Sequence, residues 1–345
     1  MAKTWKIAAA SALVLLASQA ASARDFTLAG WGGNYQDAQR EAYYKPFFDA
    51  KGIPFTETTY LGGLAEVKTM ADTGNVIWDL VIAESSDLSI GCDEGLFEEL
   101  PWDTMPGKTE IMPQAQTPCG AGNVVIATGL AYNDDTIGAE KPKDWADFFN
   151  TEKWPGKRGL RTGPKYNLEY ALLADGVPVD QIYEVLSTPE GVDRAFAKLD
   201  TIKKDLQFWD AGAQPVEWLA ANNVLMTASY NARISAAKKE GKNLSFVWKN
   251  PVYNIDAWAI PANAPNKDVA LEYINFVNTT APQVKFSELF PYGPTNLQAA
   301  KDLPAAVAED IPAGKNIEDA FLMDDAFWAD NGDALTQRWN DWVNR

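Results

Sequence analysis

The chain has 345 residues, of which 30 are basic and 47 acidic, and its formal net charge of −17 argues against a nucleic-acid partner. It contains no histidine, which excludes a Ser-His-Asp triad and a histidine-bound catalytic metal. We therefore expect no nucleic acid, metal or cofactor. The length suits two domains, and the acidic surface weakly favours a cationic ligand.

The first 23 residues predict a secretory signal peptide. Lys3 and Lys6 precede an apolar run from Ile7 to Leu16, and small residues follow as far as Ala23. A membrane anchor is the alternative, but the run is short and rich in Ala and Ser for a helix that spans a bilayer. We expect cleavage after Ala23 and a periplasmic mature protein.

The remaining chain alternates short β-rich runs with segments of helical spacing, which predicts an α/β fold built on mostly parallel sheets. The best strand candidates are Phe26–Gly30, Trp78–Ala83, Val124–Leu130, Leu225–Ser229 and Ile255–Ile260. Helical spacing follows near Tyr35–Ala42 and Ala65–Met70, and again at Trp145–Phe149, Val192–Leu199 and Val269–Val277.

Two of these strand candidates predict a hinge between two lobes. The strand near Val124 ends the first third of the chain, and the strand near Asp256 lies over a hundred residues later. If both strands cross between lobes, residues 24–130 and 256–300 form the first α/β lobe. Residues 131–255 and 301–345 then form the second lobe, with closing helices at the C-terminus.

The only two cysteines, Cys92 and Cys119, predict one disulfide within the first lobe. An isolated pair in an exported protein is more often bridged than free.

Several polar and aromatic side chains follow predicted strands, where open α/β sheets place their ligand crevices. Trp31 and Tyr35 come just after the first strand and are four residues apart, so they can face one cleft. Aromatic faces attract ammonium groups. Glu84 and Ser85 follow the strand Trp78–Ala83 and could accept hydrogen bonds from an amine. Core packing or solvation is the alternative for each.

The mature chain resembles the substrate-binding proteins of ABC importers, and within them the spermidine- and putrescine-binding branch. The order and spacing of several segments carry the resemblance: Gly30–Tyr35, Trp78–Ala83, Thr128–Asn133, Pro142–Phe148, Asp256–Ala264 and Tyr292–Asn296. It implies a two-lobed Venus-flytrap fold, a small cationic amine as ligand, delivery to a membrane permease and no enzymatic activity. We expect a monomer.

The resemblance also implies roles for individual residues. The family's amine binders have a Trp and a Tyr at the places of Trp31 and Tyr35, and a Ser at that of Ser85. Tyr230 takes the place of an aromatic residue that stacks on the ligand, and Tyr292 matches another aromatic. Asp256 matches the aspartate that pairs with the ligand amine, and Trp258 in the same segment is a further candidate. A lone Asp in an apolar strand would itself require a partner.

One segment departs from the polyamine binders. They place acids early in the second lobe, whereas this chain has Arg161 and Tyr166 there. Arg161 could hold a carboxylate or phosphonate through two hydrogen bonds, although a structural role is equally open. A zwitterion such as 4-aminobutyrate or an aminophosphonate is therefore the alternative to a putrescine-like amine.

Two other classes of function remain as remote alternatives. Many acids and 13 tryptophans could indicate an exported carbohydrate-active enzyme, but no carboxylate pair stands out from the acidic background. Metal capture by tyrosines is the other, and Tyr43-Tyr44 is the only adjacent pair of tyrosines.

Overall fold

The computed structural model describes residues 24–345, so the predicted signal peptide lies outside the described residues. The strands are β1 (Phe26–Gly30), β2 (Phe55–Thr59), β3 (Leu80–Ala83), β4 (Gln116–Thr117), β5 (Gly120–Asn133), β6 (Arg158–Arg161), β7 (Leu206–Trp209), β8 (Met226–Tyr230), β9 (Leu244–Phe246), β10 (Val252–Ala259) and β11 (Phe321–Leu322). No helix among residues 24–345 is long and apolar enough to cross a membrane.

The helices fill the segments between these strands, as the α/β pattern predicts. They are α1 (Gly33–Gln39), α2 (Lys45–Lys51), α3 (Ala65–Thr73), α4 (Ser85–Asp93), α5 (Trp145–Phe149), α6 (Asn167–Ala174), α7 (Ile182–Leu186), α8 (Pro189–Asp200), α9 (Gln214–Ala220), α10 (Asn231–Lys239), α11 (Lys267–Val277), α12 (Thr280–Leu289), α13 (Leu297–Asp302), α14 (Ala305–Ala308), α15 (Lys315–Glu318) and α16 (Asp325–Val343). A π-helical turn, Arg40–Tyr44, joins α1 to α2.

The strands pair in the order β2-β1-β3-β10-β5-β8-β6-β7. Two parallel groups, β2-β1-β3 and β8-β6-β7, lie at the ends of this order. Between them, β10 and β5 pair antiparallel with each other, and β10 also pairs with β3 and β5 with β8. All 14 residues of β5 are buried. The two parallel groups are therefore joined by the two crossing strands that the sequence indicates.

Two large apolar cores flank these crossing strands. One contains Phe26, Tyr43 and Trp258, and the other contains Trp145, Trp209 and Trp339 from α16. The sequence assigns residues after 300 to the second lobe. In the structure, Leu303 and Ile311 instead pack against Val284 of α12 and Ala300 of α13, which belong to the predicted first lobe. The chain joins the second core only from Phe321 of β11, which pairs with β10. The exact lobe boundaries stay a prediction.

The predicted disulfide is confirmed. Cys92 at the end of α4 is bonded to Cys119 just before β5, with a Cα–Cα distance of 5.7 Å. The bond links α4, whose first turn lies at the cleft, to a crossing strand.

Candidate functional site

A cavity of about 230 Å³ lies between the two parallel groups of strands, against the crossing strands. Its lining combines both signs of charge with several aromatic rings. The lining residues are Trp31, Glu84, Ser85, Ser86, Ile126, Arg161, Lys165, Tyr166, Tyr230, Arg233, Asn254, Asp256 and Tyr292. It is smaller than the pockets that hold drug-sized ligands, which fits a short solute.

The acidic end of the cavity is built on β10. Asn254 and Asp256 are two residues apart on this strand, so their side chains share one face. Asp256 is only 1% exposed, and neither its Oδ1 nor that of Asn254 has a hydrogen-bond partner. A buried carboxylate without a partner is costly, so these two oxygens are suited to accept hydrogen bonds from a ligand ammonium.

The surroundings of Asp256 raise its pKa well above the ordinary value. Burial is the largest cause, and the nearby carboxylates of Glu84, Asp325 and Asp87 add to it. A bound ammonium would supply the positive charge that this carboxyl lacks, and would favour its ionised form.

Aromatic rings surround the acidic end. Trp31, Tyr230 and Tyr292 line the cavity. Tyr35 lies behind them, stacked on Trp31 with ring centroids 5.8 Å apart, and its hydroxyl accepts a hydrogen bond of 2.7 Å from Asn123. Tyr35 is buried and is not among the residues that line the cavity, so the predicted direct ligand contact of Tyr35 is replaced by packing behind Trp31. The rings offer π-faces to an ammonium.

The basic end comes from the other side of the cleft. Arg161 ends β6, Lys165 follows in the next loop, and Arg233 lies in the first turn of α10. Within residues 24–345, neither Arg161 nor Arg233 forms a salt bridge. Lys165 has only a long contact, 3.9 Å, to Asp325. Two guanidinium groups are thus available to an anionic group of a ligand.

Tyr166 lines the cavity beside Arg161, and its backbone conformation is strained. Its φ is 73°, which a tyrosine adopts at a cost of about 1–3 kcal/mol. The Arg161 guanidinium lies 5.9 Å from the centre of its ring. Strain of this kind persists where the surroundings enforce it, and it clusters at ligand sites.

The structure brings together most of the predicted site residues. Those that line the cavity are Trp31, Glu84, Ser85, Arg161, Tyr166, Tyr230, Asp256 and Tyr292. Trp258 does not: it is 1% exposed and packs edge-on against Tyr43 and Tyr273. It lies two residues beyond Asp256 on the same face of β10, inside the first core, and this placement argues against a direct ligand contact.

Sequence reasoning did not single out Lys165, Arg233 or Asn254 as ligand-binding candidates, yet all three line the cavity. Asn254 had a usable signal, because strand alternation places residues i and i−2 on one face with Asp256. Arg233 is three residues after Tyr230 at a helix start, where its side chain can return to the cleft. Lys165 lies in an irregular loop that gives no such signal.

Comparison with known proteins identifies the class. Residues 42–313 match the family model described as bacterial extracellular solute-binding protein. The chain belongs to this family, whose members include the substrate-binding components of ABC importers, and its Venus-flytrap fold is confirmed.

Individual relatives show which members of the family this chain resembles. The chain is 45% identical to a gamma-aminobutyric acid-binding protein of Pseudomonas aeruginosa, over 96% of this chain and 95% of the relative. It is 26% identical to spermidine/putrescine-binding periplasmic protein 1 of Haemophilus influenzae, over 81% and 76%. The solved structure of the Atu4243-GABA receptor matches with a TM-score of 0.82 and 30% identity, over 93% of this chain and 98% of that one. Polyamine-binding proteins are thus the more distant relatives.

Proposed function

We propose that this protein captures a short zwitterionic ω-amino acid of the 4-aminobutyrate class and delivers it to the permease of an ABC importer. The observation that carries the proposal is the polarity of the cavity, with the buried Asp256 at one end and Arg161 and Arg233 at the other. A zwitterion offers one charge to each end. The similarity to two gamma-aminobutyric acid-binding proteins supports the same ligand class.

This proposal replaces the putrescine-like amine that the resemblance to polyamine binders first implies. A diamine would place its second ammonium among Arg161, Lys165 and Arg233, where like charges oppose it. Apart from Asp256, the one acid in the cavity lining is Glu84, and the charges of Lys165 and Arg161 already act on it. An aminophosphonate keeps the required charge pattern and is the second candidate.

Export, location and stoichiometry complete the proposal. Cleavage of the signal peptide after Ala23 would release the mature protein into the periplasm, where it would act as a monomer. The ligand-binding lobes would close on one amino acid and present it to the membrane permease.

The test compares four ligands that share a four-carbon chain. Calorimetric titrations of the mature protein would use 4-aminobutyrate, putrescine, butylamine and butyrate. We expect 4-aminobutyrate to bind most tightly, because only it matches both ends. At a hundredfold excess over its Kd it should stabilise the folded protein by about 2.7 kcal/mol in thermal unfolding. Tighter binding of putrescine than of 4-aminobutyrate would overturn the proposal, and 3-aminopropylphosphonate, which keeps three methylenes between the two charged groups, tests the second candidate.

A further inference from the structure

A second and larger cavity lies on the opposite side of the crossing strands. Its volume is about 540 Å³, against about 230 Å³ for the ligand cavity. Ile255 and Ala257 of β10 form its floor, and they alternate along the strand with Asn254 and Asp256, which face the ligand cavity. The two cavities therefore lie on opposite faces of one hinge strand.

Both lobes form the walls of this rear cavity. Leu88 and Ser89 of α4 line it from the first lobe, and Met323 and Asp325 line it from the chain that leads into α16. Any solute that fills the cavity would contact both walls and the hinge between them. Such a solute would resist the movement of α4 relative to α16.

The lining of the rear cavity has a definite chemical character. Leu88, Ile255, Ala257 and Met323 give it an apolar interior. Its charged lining residues are Asp93, Asp324 and Asp325, and no Lys or Arg lines it. The side chain of Asp324 already accepts a hydrogen bond from the backbone N–H of Phe327, and that leaves Asp93 and Asp325.

Asp325 is the carboxylate best placed to bind a cation. Its Oδ1 is buried and has no hydrogen-bond partner, and the Lys165 ammonium is 3.9 Å away. Burial raises the pKa of this carboxyl, and the neighbouring Ser85 hydroxyl and Lys165 only partly oppose that shift. An ammonium entering the rear cavity could therefore take a position that the protein leaves open. Apolar walls and acids together complement a cation with an apolar body.

We propose that the rear cavity is a second binding site, for a small organic cation with an apolar body, and that its occupancy alters the affinity of the front cleft by restraining the movement of the lobes. Binding of a cation in the rear cavity does not require a ligand in the front one. The predicted effect on capture rests on the proposed function, because it requires the front cleft to bind a zwitterion. Ser85 lines both cavities, and Asp325 contacts Lys165 of the front one, so the two sites share a boundary.

The first experiment tests the site without any amino acid present. Calorimetry would measure binding of 2-phenylethylammonium to the mature protein, with 2-phenylethanol as the uncharged probe of the same shape. We expect the cation to bind and the alcohol to bind at least about tenfold more weakly, as for loss of a charge-assisted hydrogen bond. Equal binding of both probes, or no binding of the cation, would overturn the proposal.

Variants locate the probe. Ser89 is exposed on α4, so Ser89→Trp should obstruct the rear cavity without disturbing the core and should abolish binding of 2-phenylethylammonium. Asp325→Asn should weaken it, whereas Asp330→Asn, an exposed acid on the same helix, should not. Asp256→Asn should leave probe binding intact. Loss with Asp256→Asn but not with Ser89→Trp would place the probe in the front cleft and refute the rear site.

A second experiment measures the coupling. With the probe saturating, the Kd of 4-aminobutyrate should change by about fivefold, at the lower end of ordinary coupling between sites. Ser89→Trp should remove that change. A rear site that binds the probe but does not alter the Kd would refute the coupling alone. If 4-aminobutyrate itself fails to bind, the proposed function is refuted while the first experiment still stands.

Discussion

The two ends of the ligand cavity are built in different ways. The acidic end belongs to a buried hinge strand, where Asp256 is 1% exposed and has an unpartnered oxygen. The basic end comes from the end of β6, the loop after it and the start of α10, where Arg233 is exposed and Arg161 is half-buried. A carboxylate in a rigid, dry position loses little freedom when it binds, whereas the more exposed arginines have more side-chain freedom to lose.

This difference assigns separate tasks to the two ends. Under the proposed function, the acidic end would recognise an ammonium through desolvation and fixed geometry, so it should dominate affinity for every amine. The basic end distinguishes ligands by their second group, because guanidinium groups attract a carboxylate and repel an ammonium. Closure of the lobes on a zwitterion would place one of its charges at each end.

Asp256→Asn should have the largest effect, because it removes the buried charge with little change of shape. We expect 4-aminobutyrate and every other amine to lose about 2–5 kcal/mol of binding free energy. Calorimetry measures the loss, and Asp180→Asn, an exposed acid that does not line the cavity, is the matched control. Unchanged affinity of Asp256→Asn would remove Asp256 from the role of amine anchor.

Arg161→Met should have a smaller and ligand-dependent effect, since Arg233 and Lys165 remain at the basic end. We expect 4-aminobutyrate to lose about 1.5–3 kcal/mol, as for a hydrogen bond to a charged group. Putrescine should bind equally well or better, because a like charge is gone. Arg194→Met, which removes a guanidinium that pairs with Asp175 outside the cavity, is the control. Weaker binding of both ligands would contradict the division of tasks.

The raised pKa of Asp256 predicts that binding depends on pH. The ligand-free folded protein retains a proton on this carboxyl at pH values where an ordinary aspartate has lost it, so capture of an ammonium should release that proton. Affinity should therefore rise with pH, by up to about tenfold per pH unit, until the pH exceeds the raised pKa. Calorimetry in buffers of different ionisation enthalpy counts the released protons, and binding with no proton release would contradict this prediction.

The same linkage acts on folding. Between the ordinary and the raised pKa of Asp256, the ligand-free folded state binds more protons than the unfolded state, so the free energy of unfolding should fall as pH rises. Asp256→Asn should remove this contribution. Urea unfolding of the wild-type protein and the variant across this range measures the difference.

Glu169 provides a buried carboxyl that lies outside the lining of the ligand cavity. Burial raises its pKa to about 7, although Trp328 of α16 and Tyr183 donate hydrogen bonds to it. Its contribution to the free energy of unfolding should decrease as the pH rises from 4.5, the ordinary pKa of a glutamate, to about 7. Glu169→Gln should remove that slope in urea unfolding and leave the Kd of 4-aminobutyrate unchanged. A changed Kd would show that α16 communicates with the cleft.

Much of the site could be predicted because its residues have unusual local contexts. A lone Asp in an apolar strand, as at Asp256, indicates a functional need for a polar group. Arg161 could be predicted as a site residue because polyamine binders have acids in this segment. Trp258 shows the limit of this reasoning, because it shares a strand face with Asp256 and yet lies inside the first core. The two residues differ in where they lie along β10: the cavity reaches Asp256 but ends before Trp258.

The sequence by itself determined the α/β class, the two crossing strands and the disulfide, because alternation, helical spacing and cysteine count are local or compositional properties. Only the tertiary structure decided that Arg233 and Lys165 join Arg161, that residues 303–313 pack beside α12, and that a second cavity lies behind β10. These features depend on contacts between segments far apart in the chain. No local pattern records such contacts, because they exist only once both lobes have packed against the crossing strands.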